Sequence, residues 1–279
     1  MKQQYYYIVS GLADITLESE KNVPDEREFI TDLKEIIQSG EDRDLLDCIL
    51  LYKDNRNLFL VLTGGDASGS EEGVFTVDEL QEEVKTPDRI PGYMVRAVEE
   101  FRESPDTPGN EFEDRINALF YEEMASHENP FIREWFSFER DLRNILSGLK
   151  IRKFRELGLK EDFIDPEAAL IGDTEVSEAV KRSSSPDFSL SNSFDYIEEL
   201  LSLEGMNPLD KEWKIDLIKW KFLDEITLFS YFEIETILAF TIKLGMINRW
   251  QRLTEEKGEE RLESIIAGLE STFSISGEL

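Results

Sequence analysis

The sequence predicts a mostly α-helical fold, and three observations carry that expectation. Apolar residues recur at helical spacing, as in Phe29, Ile30, Leu33, Ile36 and Ile37. Two segments open with helix-start chemistry: Pro24 precedes an acidic first turn at Asp25 and Glu26, and Asn207 is a cap followed by Pro208 at the first helical position. The segment from Asn207 to Phe229 bears two apolar stripes, Trp213, Leu217, Trp220 and Leu223 on one and Ile215, Ile218, Phe222, Ile226 and Phe229 on the other. Such a helix is covered on two sides, as in the middle of a bundle.

Taken in order, the first helix is expected to end at Gly40, a residue that commonly stops helices. Leu58 to Leu62 follows KDNRN and, with Cys48 to Tyr52 before it, reads equally as helix or as a β-hairpin around a turn. Gly73 to Val77 is ambiguous in the same way, which leaves room for a small β element in the first third. Turn formers cluster at Thr63 to Gly73, Ser104 to Asn110 and Ser183 to Ser193, each too short for a true linker. Tyr231 to Ile247 reads as the most buried helix, and Glu233, Glu235 and Lys243 argue against a membrane span there.

Composition narrows the function. With 61 Asp plus Glu against 31 Lys plus Arg, the formal net charge is −30, a surface that repels nucleic-acid phosphate and anionic lipid. The expectation is therefore no nucleic acid and no direct membrane insertion. Cys48 is the single cysteine, so no disulfide forms within the chain and a reducing, cytoplasmic setting is expected. MKQQYYYIVSGLADI has no signal-peptide pattern and reads as mature structure.

No catalytic constellation stands out. His127 is the single histidine, so His127 and Cys48 cannot build a zinc site of the His/Cys kind. Cys48 lies in an apolar run and reads as a buried, inert thiol, whereas His127, at a helix end before Asn129 and Pro130, reads as a capping or exposed histidine. The loop TGGDASGSEEG lacks the Gly-Lys-Ser/Thr of a phosphate loop. No catalytic residue, metal or cofactor is expected. Convergent carboxylates in a helical metal-dependent enzyme are the alternative, since 61 acidic residues leave that geometry open.

One positive signal comes from self-comparison. DNRNLFLVL (Asp54 to Leu62) and DLRNILSGL (Asp141 to Leu149) share Asp-x-Arg-Asn and a closing leucine, and GMINRWQRL (Gly245 to Leu253) keeps Asn248 and the leucine. In a helix the Asp and Asn share a face. Asp54, Asn57, Asp141, Asn144 and Asn248 are thus expected at equivalent places, serving packing between neighbouring helices.

The passages WFSFERDLRNILSGLKIRKF and FEIETILAFTIKLGMINRWQRL resemble the C subunit (d subunit in eukaryotes) of V-type and A-type ATPases. YYYIVSGLADI and ILAFTIKLGMINRW are similar to an uncharacterised bacterial family encoded beside V-type ATPase genes. Two departures stand out: Gly245 replaces a usual acidic residue, and the N-terminal tyrosines lack following arginines. The resemblance implies a multi-helix funnel of three similar sub-bundles (1–104, 105–182 and 183–279) forming one compact body. It implies a cytoplasmic, non-catalytic central-stalk adaptor, monomeric in isolation, whose partners are the ATPase stalk subunits and the membrane rotor ring. It also makes LFLVL helical, and puts Asp66, Glu71, Glu72, Asp187 and Phe188 on a partner-facing rim. An acidic protein-binding module unrelated to the ATPase is a further alternative.

Overall fold

A computed structural model describes residues 4–19, 22–67, 71, 73–105, 109–156, 158 and 170–253. Among these residues the chain forms eleven helices and no strand. They are α1 (Tyr6–Gly11), α2 (Glu26–Ile36), α3 (Gly40–Thr63), α4 (Val77–Glu83), α5 (Gly92–Glu103), α6 (Gly109–Met124), α7 (Pro130–Glu156), α8 (Glu175–Arg182), α9 (Ile197–Leu201), α10 (Pro208–Ile226) and α11 (Ile234–Arg252). The protein is mostly helical, as the periodicity predicts, and among the described residues no helix is long and apolar enough to cross a membrane.

The helices fall into two compact units, one of Met1–Gln38 with Ser230–Leu279 and one of Ser39–Phe229. In the first unit α11 packs on α1 and α2, so helices from opposite ends of the chain share a core. Phe29 and Phe240 meet there, ring centroids 5.1 Å apart. In the second unit α3 packs against α4, α5, α6 and α7, and α7 also meets α8 and α10. Its aromatic centre runs through Tyr93, Phe120 and Phe136, with Phe120 making edge contacts to both others at 5.3 and 5.0 Å. Phe138 of α7 stacks flat on Phe222 of α10 at 3.9 Å.

Several local expectations need correction. The β element of the first third is absent among the described residues: Cys48 to Leu62 lies within the 24-residue helix α3. That helix buries residues around most of its girth, from Leu46 and Leu50 to Asn55 and Leu58, so it lacks the one-sided stripe that would have marked it. Gly40 opens α3 instead of ending α2, because the Ser39 side chain accepts from Asp42 N at 3.3 Å as its cap. The break comes earlier, at Ile37, where the backbone turns extended. Tyr231 is 70% exposed, since α11 begins only at Ile234. The Asn207 cap on α10, with Pro208 in the first turn, is as expected.

Close approach of α7 to its neighbours depends on Gly148. A Cβ built there would lie 2.5 Å from Val180 Cγ1 and 3.0 Å from Phe188 Cζ. Valine has little rotameric freedom to retreat. We expect Gly148→Ala to lower stability by about 1 to 3 kcal/mol, the usual cost of overpacking, measured by urea denaturation. Wild-type stability in the variant would mean that Val180 and Phe188 yield freely.

Candidate functional site

The motif asparagines sit on α3, α7 and α11, and each turns its amide toward backbone. On α7, Asn144 is fully buried; its Nδ2 donates to Ile171 O at 3.0 Å and its Oδ1 accepts from Ile171 N at 2.8 Å. Three residues on, Thr174 caps α8 in a reciprocal pair with Ser177. On α3, Asn57 is also fully buried, and its Nδ2 donates to Glu71 O at 2.9 Å. Asp54 completes that contact: its carboxylate accepts from Gly73 N at 2.9 Å, Val74 N at 2.7 Å and Phe75 N at 3.4 Å. Thr76 then caps α4 with Glu79 at the third helical position, a full capping box.

On α11, Asn248 is half-buried; its Oδ1 accepts from Glu26 N at 3.2 Å and its Nδ2 donates to Pro24 O at 3.1 Å. Asp25 caps α2 between those contacts. In each place a helical asparagine fixes the backbone that leads into a capped helix. Asp141 departs from this pattern. It is half-buried, its hydrogen-bond partner among the described residues is Arg140 at 3.0 Å, and burial raises its pKa from the ordinary aspartate value.

Two further residues of the repeated segments were given no role by sequence reasoning. Arg143, half-buried, holds its guanidinium 5.3 Å from the ring centres of both Tyr52 and Tyr121, and its NH2 donates to Tyr52 OH at 2.7 Å. Asn55 accepts from Tyr93 OH at 2.7 Å and donates to Asn117 Oδ1 at 3.1 Å. Both lie inside the repeated segments, which was the available signal.

The expected rim is different in kind. Phe188 is 3% exposed rather than an outward anchor: its ring lies under the Arg152 guanidinium at 4.1 Å, and its backbone is left-handed with a φ of 54°. Asp187 closes its own loop. Its carboxylate accepts from Ser185 Oγ, from Ser191 Oγ at 2.6 Å and from Ser189 N at 3.0 Å, and these bonds hold its pKa well below the usual range. Asp66 is exposed, Glu71 is half-buried with Lys53 3.8 Å away, and Glu72 lies outside the described residues. Large exposed apolar side chains occur elsewhere, at Tyr6, Tyr7, Ile36 and Tyr231 in the first unit and at Leu209, Leu228 and Phe229 in the second.

Cys48 and His127 lie in different local surroundings. Cys48 is buried, and its thiol is pushed up to about 12 by burial and by the nearby carboxylates of Asp47 and Asp44. His127 Nδ1 accepts from Asn129 N at 3.0 Å at the start of α7, and burial lowers its pKa. Among the described residues, no group of three or more His, Cys, Asp or Glu side chains is placed to hold a metal ion.

What emerges is a mostly helical protein whose repeated asparagines grip backbone. The chain belongs to the family described as "Protein of unknown function (DUF2764)", which matches residues 1–272. It is also similar to an "Uncharacterized protein" of Chlamydia muridarum (strain MoPn / Nigg), 23% identical over 154 residues. That match spans 54% of this chain and 55% of the relative.

The motif positions should separate on substitution. Asn144→Ala leaves both backbone groups of Ile171 without their partner and should cost about 2 to 4 kcal/mol by chemical denaturation. Asp141→Asn should leave stability unchanged or raise it at pH 7. A carboxyl whose folded pKa is raised loses stability as pH climbs from the unfolded value through the folded one, and the amide removes that loss. Equal losses in both variants would contradict the distinction. A thiol held near pKa 12 should also make Cys48 react with iodoacetamide at pH 8 about 1,000-fold more slowly in the native than in the urea-unfolded chain. Equal rates would place the thiol at the surface.

Proposed function

We propose that this protein is a non-catalytic adaptor of a V/A-type ATPase, a funnel of three similar helical sub-bundles that receives the central stalk and couples it to the membrane ring. The observation that supports this reading is the recurrence of one device at Asn57, Asn144 and Asn248: a helical amide holding the backbone ahead of a capped helix. A recurring motif in recurring local surroundings is the mark of a repeated supersecondary unit, and the C (d) subunit resemblance supplies the threefold helical architecture. The acidic surface suits such a role, because charge speeds docking and selects partners. Torque transmission asks for stiffness and needs no chemistry from the chain. One copy serves one rotor axis, so the isolated protein is a monomer.

Co-expression with the stalk subunits of such an ATPase should yield a complex containing one copy of this chain and showing no ATP turnover by the chain alone. Its association rate should fall as salt rises, since screening limits exposed charges to about 8 Å at physiological ionic strength. If folded stalk subunits and the intact protein do not associate at low salt, the adaptor reading fails.

A further inference from the structure

The first unit holds tyrosines at its surface by a backbone anchor. Tyr5 is buried, and its N–H donates to Phe232 O at 2.7 Å, tying the start of α1 to the segment that enters α11. The Tyr6 ring lies 4.6 Å from the Phe232 ring. Around this junction Tyr6 is 59%, Tyr7 86% and Tyr231 70% exposed. Aromatic side chains exposed together in this way are what interfaces use, since a tyrosine ring brings large contact area and a polar tip.

The charge around them selects the occupant. The described residues flanking the rings, 4–19 and 230–243, carry Asp14, Glu18, Glu233 and Glu235 against the single cation Lys243. A second copy would bring the same sign, in a chain of net charge −30, and an anionic lipid surface is repelled likewise. A segment that combines apolar side chains with Lys or Arg matches both the rings and the field, and its cations can also sit on tyrosine faces.

We propose that Tyr6, Tyr7 and Tyr231 form the docking surface for an apolar segment of a stalk subunit bearing lysine or arginine; the identity of that partner rests on the adaptor reading above. The test uses the full chain co-expressed with the stalk subunits. Photolysis after Tyr7→p-benzoylphenylalanine should cross-link to a stalk segment rich in lysine or arginine, identified by mass spectrometry. Tyr6→Ser/Tyr7→Ser/Tyr231→Ser should weaken stalk binding at least tenfold with an unchanged circular dichroism spectrum. If that variant unfolds, Tyr7→Ser alone, at the most exposed position, should weaken binding several-fold. Wild-type binding by the variants would overturn the docking surface and leave the adaptor reading standing. No complex even with the wild-type chain would bring down both. A cross-link to a second copy, or to residues 254–279 of the same chain, would overturn the proposal by naming a different occupant.

Discussion

A primary amide carries a donor and an acceptor in one plane, so a single asparagine can satisfy both backbone groups of one residue that has left regular structure. Asn144 does this for Ile171, and the arrangement is what lets an irregular segment cross a buried helix face without leaving polar groups stranded. Each net hydrogen bond is worth only about 1 kcal/mol, yet an unmade one in the interior costs about 1 to 3 kcal/mol. The amide therefore specifies where the chain passes more than it adds stability. Helices α4, α8 and α2 start where they do because the backbone before them is already pinned and their own caps then complete the turn. The neighbouring apolar contacts, such as Gly148 against Val180, require that placement to within tenths of an ångström.

Carboxylates extend the same logic. Asp54 gathers three consecutive N–H groups, Asp187 closes a serine-rich turn, and Glu83 accepts from Asp88 N at 2.8 Å and Arg89 N at 2.9 Å while pairing with the Arg89 side chain. Those backbone bonds lower the Glu83 pKa to about 2. Its contribution is complete above its unfolded value near pH 4.5 and is lost as pH falls toward 2. Part of the acidic excess is thus consumed by turns and helix starts. The remainder gives the surface its sign.

How much of this was legible follows from which partners have a sequence signature. Caps do, so Asn207 with Pro208 and the acidic start at Asp25 could be read directly. The asparagines themselves showed as a repeat. Their partners did not, because Ile171, Glu71 and Pro24 contribute backbone, and any residue supplies a carbonyl. Phe188 was placed on the rim that the resemblance implies, and its burial beneath Arg152 with a left-handed backbone leaves no trace in composition. Leu58 to Leu62 was ambiguous because burial around a helix erases the period that distinguishes it from a strand.

Position 245 shows how a departure from the pattern can preserve its physics. At the first contact the carboxylate belongs to the long helix and the glycine to the incoming segment: a Cβ on Gly73 would lie 2.7 Å from Asp54 Oδ2 and 2.5 Å from Leu50 O. In the first unit the roles are exchanged. Gly245 stands on α11, and a Cβ there would lie 3.0 Å from Glu26 Oε1, so the carboxylate reaching this place comes from α2. Glu26 is 8% exposed, and an acidic side chain at 245 would set a second negative charge beside it in a poorly hydrated site. One carboxylate and one glycine fill the space in either order, whereas two carboxylates would crowd and repel. Where the repeat within this chain would put an acidic residue, at 245, Glu26 supplies the carboxylate, and Gly245 leaves room for the close approach of α2 to α11.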